Sequence, residues 1–224
     1  MKFLELISQR NEFLTSRTQY VKYLGATSNT ITTNTGAPQG CVLSPILFTL
    51  YTSDCKSESV STQLFKYADD TALVGLCVND DRDYRCEVGK FVMWCESNYL
   101  ELNVKKTKEM IVDFRRTHCD HEPLVINNVA VDVVENYKYL GTIIGDKFTF
   151  NQHAENVFKK SNSRMYCLRQ LKKLDVDNKI VQLFFTSVVQ SVINFSISCW
   201  YGNCSVEAKN KLSRILRNCE KLGV

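Results

Sequence analysis

The chain has 224 residues, 44% of them hydrophobic and 11% aromatic, enough to bury one sizeable core or a core with a smaller appendage. With 23% charged residues its composition is that of a folded chain, which excludes a disordered one. Net charge is only +4, but it is unevenly placed: from Glu155 onward there are 12 Lys and Arg against 5 Asp and Glu, net +7, and the remainder holds 16 against 19, net −3. That asymmetry fits either an acidic site beside a polyanion-facing region or a set of helices with solvated basic faces.

In chain order, FLELISQRNEFL carries Phe3, Leu6, Ile7, Phe13 and Leu14 at helical spacing and predicts a short amphipathic helix. Its Glu5, Arg10 and Glu12 leave no uncharged core for a signal peptide, and no run is expected to reach the length of a membrane span. TQYVKYL and NTITT are β-branched and alternating, and predict strands. NTGAPQG is turn chemistry. A helix follows to about Thr52, with Ser44 as its expected N-cap and Pro45 at its first position.

TQLFKY and TALVGLC predict a hairpin with ADD at its tip. Two adjacent acids there mean either a turn that water solvates or a metal site built on Asp69 and Asp70. From Asp80 to Leu102 the pattern is helical. Its opening acids, Asp80, Asp81 and Asp83, suit a helix start rather than a further metal site. EMIVDF predicts a strand, and PLVINNVAVDVV a hairpin turning at Asn127 and Asn128. NYKYLGTIIG predicts a second strand pair. Helices are expected near 152–173, 177–195 and 205–221, with a soft domain boundary near residue 150. The fold class expected is α+β.

Ten cysteines are scattered through apolar and helical segments without a Cys-x-x-Cys pair. His118, Cys119 and His121 cluster, but no second ligand pair stands at usable spacing for zinc, even counting His153. Cys199 and Cys204 in CWYGNC read as the end of a buried helix and a Gly-containing turn. A reduced, intracellular chain follows, in nucleus or cytoplasm, with cysteine as a small core residue. Trp94 and Trp200 read as packing anchors rather than base-stacking platforms.

The ADD tip does not stand alone. GAPQGCVLSPILF at 36–48, FKYADD at 65–70, LNVKKTKEM at 102–110 and YKYLG at 137–141 follow in one order. Together they resemble the reverse transcriptase domain of non-long-terminal-repeat (LINE-type) retrotransposons, over nearly the whole chain. The resemblance implies an incomplete antiparallel palm sheet with packing helices over 1–150 and a helical thumb-like bundle over 151–224. It implies a two-metal nucleotidyl transfer with Mg²⁺ held by Asp69 and Asp70. Tyr67 and Ala68 would floor the primer terminus, and Gln39 and Gly40 would contact the incoming nucleotide and template. Lys106, or failing it Lys108, would lie near the triphosphate, and Tyr139, Leu140 and Gly141 would form the primer grip. RNA template, DNA primer and deoxynucleoside triphosphates are the implied partners. Lys159, Lys160, Arg164, Arg169, Lys172 and Lys173 would touch phosphates.

One departure bears on activity. The family needs a further Asp on a strand ahead of the Pro-Gln-Gly loop, and these residues hold no Asp before Asp54. Two divalent ions carry +4, and Asp69 with Asp70 supply −2. The expectation is a truncated domain without polymerase activity of its own. The alternative is a non-catalytic nucleic-acid-binding remnant.

Overall fold

A computed structural model describes residues 15–34, 36–38, 40–78, 80–115 and 121–223. The helix expected over 3–14, Gln39, His118 and Cys119 lie outside the described residues. The fold is mixed helix and strand, as expected, and the chain divides into two compact units, Met1–Glu101 and Leu102–Val224. Among the described residues the strands pair two by two, in six small sheets.

The first unit opens with a β-ribbon. Strand β1 (Arg17–Gln19) pairs antiparallel with β4 (Ile31–Thr33), and β2 (Lys22–Tyr23) with β3 (Ala26–Thr27) between them. Helix α1 (Leu43–Tyr51) follows. Ser44 is not its N-cap: Val42 stands there, and the Ser44 hydroxyl donates to the Pro38 carbonyl, tying the helix back to its loop. Strands β5 (Thr62–Tyr67) and β6 (Asp70–Gly75) form the expected hairpin. Helix α2 (Arg82–Ser97) is shorter than expected. It stops before Tyr99, which adopts a φ of +53°.

In the second unit, strand β7 (Lys108–Glu109) takes in only Glu109 of the expected EMIVDF strand. It pairs in parallel with β10 (Asp132–Val133) for two residues, and a strand extends only as far as it has a partner ladder. Strands β8 (Val125–Ile126) and β9 (Val129–Ala130) turn at Asn127 and Asn128, φ +50° and +61°. Two successive positive φ values are the demand of a type I′ turn, and Asn tolerates them. Strands β11 (Asn136–Tyr139) and β12 (Thr142–Gly145) repeat the device with Leu140 and Gly141.

Helix α3 (Asn151–Lys173) begins the helical part. The helix expected over 177–195 is interrupted. It runs as α4 (Asn178–Phe184), a π-helical segment (Phe185–Gln190) and α5 (Ser191–Asn194). The short α6 (Ile197–Trp200) and α7 (Val206–Glu220) follow. Side-chain caps mark two of the starts: Asp177 accepts from the Lys179 N–H at 2.7 Å and Ser205 from that of Ala208 at 3.2 Å. The hydrophobic core lies here. Val157, Met165 and Leu168 of α3 meet Val181, Val189, Ile193, Trp200, Leu212 and Ile215. Cys204 is buried and Cys199 exposed, both as free thiols. Contrary to the sequence expectation, one helical run, Asn178–Trp200, is long and apolar enough to cross a membrane by length and composition. Lys179 is its single charged residue.

Candidate active site

The hairpin tip is set by backbone register. Tyr67 pairs with Asp70, so Ala68 and Asp69 are the two turn residues. Ala68 has a φ of +52°, a left-handed conformation that costs an L-residue about 1 kcal/mol or more. Alternation then sorts the side chains into two faces. Thr62, Leu64 and Lys66 share one face, and Thr62 is buried on it. Phe65 and Tyr67 share the other, 48% and 66% exposed. Asp69 and Asp70 are exposed, and neither carboxylate enters a hydrogen bond or ion pair among the described residues.

Lys66 links this hairpin to the preceding loop and helix. Its ammonium donates to the Thr52 carbonyl and, at 2.9 Å, to that of Cys55. Thr52 caps the C-terminal end of α1, where partial negative charge accumulates and a cation is favoured. At the other end of α1, Gly40 leaves the loop at a φ of +79°. At the hairpin's base a Cβ on Gly75 would lie 2.5 Å from the Tyr84 ring, so only glycine lets α2 approach.

A buried acid organises the rest of the first unit. Glu87 of α2 accepts from the Ser57 hydroxyl at 2.8 Å and the Glu58 N–H at 3.1 Å. Lys90 donates to it at 2.8 Å and also to Glu58 at 2.9 Å. The Lys90 ammonium and the Ser57 hydroxyl hold the Glu87 carboxyl down to about 2.

The other sequence-predicted residues belong to the second unit. Asn103 closes a single turn by accepting from the Lys106 and Thr107 N–H groups. Lys106 projects exposed, with no side-chain partner among the described residues, whereas Lys108 is paired with Asp132. Tyr139 ends β11, and Leu140 and Gly141 take φ values of +45° and +91°. A Cβ on Gly141 would come within 3.0 Å of the Phe195 ring.

The six cations of α3 do not form one surface. Arg164 donates to the Val188 carbonyl at 2.6 Å, within the π-helical segment. Lys172 donates to Asn178 and Lys159 lies 3.9 Å from Glu155. Lys160, Arg169 and Lys173 are exposed and unpaired among the described residues. Lys160 and Arg169 are nine positions apart, about two and a half turns, so they flank the buried stripe on opposite sides. Arg169 and Lys173, four apart, share a side.

Sequence reasoning missed two residues. Lys66 lies in the quoted FKYADD, but its target carbonyls are visible only in the fold. His153 was considered only for zinc, yet its place beside Ala154 and Val157 in an apolar stripe marked it for burial.

Comparison with known proteins adds a family. The pattern described as "Reverse transcriptase (RNA-dependent DNA polymerase)" matches residues 2–144. A second, described as "Alkylated DNA repair protein alkB homolog 8, N-terminal", matches residues 150–191. The "Probable RNA-directed DNA polymerase from transposon X-element" of Drosophila melanogaster is 24% identical over 225 residues, covering 93% of this chain and 24% of the relative. The "RNA-directed DNA polymerase from mobile element jockey" of Drosophila funebris is 28% identical over 159 residues, 65% of this chain and 17% of the relative. Its namesake in Drosophila melanogaster is 26% identical over 220 residues, 91% and 23%. The chain thus spans about a quarter or less of the length of these relatives. No solved structure matches.

Proposed function

Because the chain belongs to the reverse transcriptase (RNA-dependent DNA polymerase) family, we propose that it supplies the Asp69–Asp70 part of a LINE-type nucleotidyl-transfer site. Residues 1–150 then form part of the palm and 151–224 a thumb-like helical region. The observation that carries this reading is the hairpin tip: two exposed carboxylates, in no ion pair among the described residues, at a turn of fixed register.

Hard oxygen donors of this kind suit Mg²⁺, and Asp69 and Asp70 would hold it. Mg²⁺ bound there would assist attack of a primer 3′-hydroxyl on the α-phosphate of a deoxynucleoside triphosphate, with pyrophosphate leaving. Tyr67 and Ala68 floor the primer terminus. Gln39 and Gly40 contact the incoming nucleotide and the template RNA. Lys106 offsets charge on the departing pyrophosphate, and its lack of an ion pair among the described residues favours it over Lys108. Tyr139, Leu140 and Gly141 hold the DNA primer. Arg169 and Lys173, sharing one side of α3, contact duplex phosphates without reading sequence. Such templates and triphosphates put the action inside the cell, in nucleus or cytoplasm.

Among the described residues no three His, Cys, Asp or Glu side chains gather to hold a metal ion. The 224 residues by themselves are proposed to bind duplex without extending it, because Asp69 and Asp70 supply −2 against the +4 of two divalent ions and no Asp stands before Asp54. The test is primer extension on poly(rA)/oligo(dT) with Mg²⁺, comparing the unaltered chain with Asp69→Ala. The expected result is salt-sensitive duplex binding and no incorporation by either. Incorporation that Asp69→Ala abolishes would overturn the inactivity. Absence of duplex binding by a cooperatively melting chain would overturn the function itself.

A further inference from the structure

Helix α3 meets the β11–β12 hairpin through a buried histidine. His153 stands in the first turn of α3, 4% exposed, and its Nδ1 accepts from the Ile143 backbone N–H at 3.2 Å. Ile143 follows Thr142, the residue paired with Tyr139 across the turn. An acceptor at Nδ1 puts the proton of the neutral ring on Nε2. Burial, with the charge of Lys160 adding to it, lowers the pKa and keeps the ring neutral.

Nε2 is itself buried, without a hydrogen-bond partner among the described residues. An orphaned buried donor costs stability, which a phenylalanine at the same place would avoid. Packing alone is therefore a poor account of a histidine here. What the imidazole supplies and a phenyl ring does not is the acceptor for Ile143.

The contacts continue into a closed circuit. The His153 ring meets Trp200 edge-on, centroids 5.0 Å apart. Trp200 is fully buried, and its Nε1 donates to the Phe195 carbonyl at 2.9 Å. The Phe195 ring in turn lies against Gly141, where a Cβ would come within 3.0 Å. Strand β12, helix α3, Trp200, Phe195 and the Leu140–Gly141 turn thus brace one another.

We propose that His153 is a positioning residue that fixes the Tyr139–Gly141 turn to helix α3, so that the turn and the Arg169–Lys173 side meet an RNA–DNA duplex at one set spacing. The duplex part rests on the function proposed above. The brace is a property of the fold and is tested separately.

The experiment uses the 224-residue chain with His153→Phe and His153→Asn. Phe keeps the ring against Trp200 and loses the acceptor, whereas Asn keeps an acceptor near the place of Nδ1. Two readouts are taken: hydrogen exchange of the Ile143 amide, and affinity for a poly(rA)/oligo(dT) duplex. In His153→Phe, Ile143 exchange should quicken about fivefold to tenfold and duplex affinity fall several-fold. His153→Asn should bring both back toward the unaltered chain. Unchanged exchange and affinity in His153→Phe overturn the proposal, as does an Asn variant as deficient as Phe. Should His153→Phe not fold, Gly141→Ala presses on the Phe195 ring from the turn, and an unchanged duplex affinity there overturns the proposal. No duplex binding by the unaltered chain overturns the function and the duplex role together, while Ile143 exchange still decides the brace.

Discussion

The two compact units are held by different forces. Every member of the buried hydrophobic cluster, from Phe150 to Cys219, belongs to the second. The first buries few apolar side chains among its described residues, chiefly Cys55, Val88 and Cys95, and leaves Leu43, Ile46, Leu50 and Phe65 exposed. Polar links do more of its work: Glu87 with Ser57, Glu58 and Lys90, Lys66 on the carbonyls of Thr52 and Cys55, and the Tyr51 hydroxyl on the Asn98 carbonyl. A hydrophobic core responds less to pH and to charge screening than charge-assisted hydrogen bonds do, although the buried His153 gives the second unit one acid-sensitive group. The unit that carries the two tip acids should therefore be the one that solution conditions disturb more.

The largest effect expected is in the second unit. Trp200→Ala removes a fully buried indole and its bond to Phe195, and should cost about 3–5 kcal/mol in urea unfolding. A cost below about 1 kcal/mol would mean that the cluster is not its source of stability. Next comes Glu87→Gln, expected to cost about 1–3 kcal/mol at neutral pH, because Ser57, the Glu58 N–H and Lys90 then lose a charged acceptor. The folded carboxyl is held at about 2 against an ordinary 4.5. Its contribution is complete above about pH 4.5 and disappears as pH falls toward 2, so the unaltered chain and Glu87→Gln should converge in stability over that window. Parallel curves would put the acid sensitivity elsewhere.

Lys66→Met should cost about 1 kcal/mol, since it keeps the aliphatic stem and removes the donor to two carbonyls. Its sharper reading is local: amide exchange should quicken at the hairpin and leave the α3–α7 helices untouched. The smallest effect runs the other way. Ala68→Gly relieves a φ of +52° and should stabilise by up to about 1 kcal/mol, measured by thermal melting. A loss of stability there would mean that the methyl group packs against something that offsets its strain.

Much of the fold was legible from short-range chemistry. Asn127 and Asn128 announced a hairpin turn, the helical patterns placed helix starts near 177 and 205, and TQLFKY-ADD-TALVGLC announced its hairpin. These signals are local, so neighbouring residues suffice to read them. What was not legible depends on partners distant in sequence. EMIVDF has strand composition throughout, yet pairing ends after Glu109. Ser44 has the chemistry of a cap, yet its hydroxyl serves Pro38. Of the candidate site, residue types and the tip were visible. The Lys66 clamp, the commitment of Lys108 to Asp132 and the division of the α3 cations between two sides were not.

The π-helical segment Phe185–Gln190 bears on how this chain tolerates changes of length. Val181 and Ile193 both reach the core, though twelve positions apart, a count that in an unbroken α-helix would leave them about a third of a turn out of step. The wider turn between them absorbs one surplus residue, and eleven positions is close to three whole turns. Deleting one residue from Phe185–Gln190 should thus convert the segment to ordinary α-helix without turning either flank away from the core. An equal deletion within α3 would rotate every downstream side chain by about 100°. Arg164 donates to one carbonyl of this segment, that of Val188, so deletion would also disturb that bond. A single deletion is then survivable at Phe185–Gln190 and ruinous within α3.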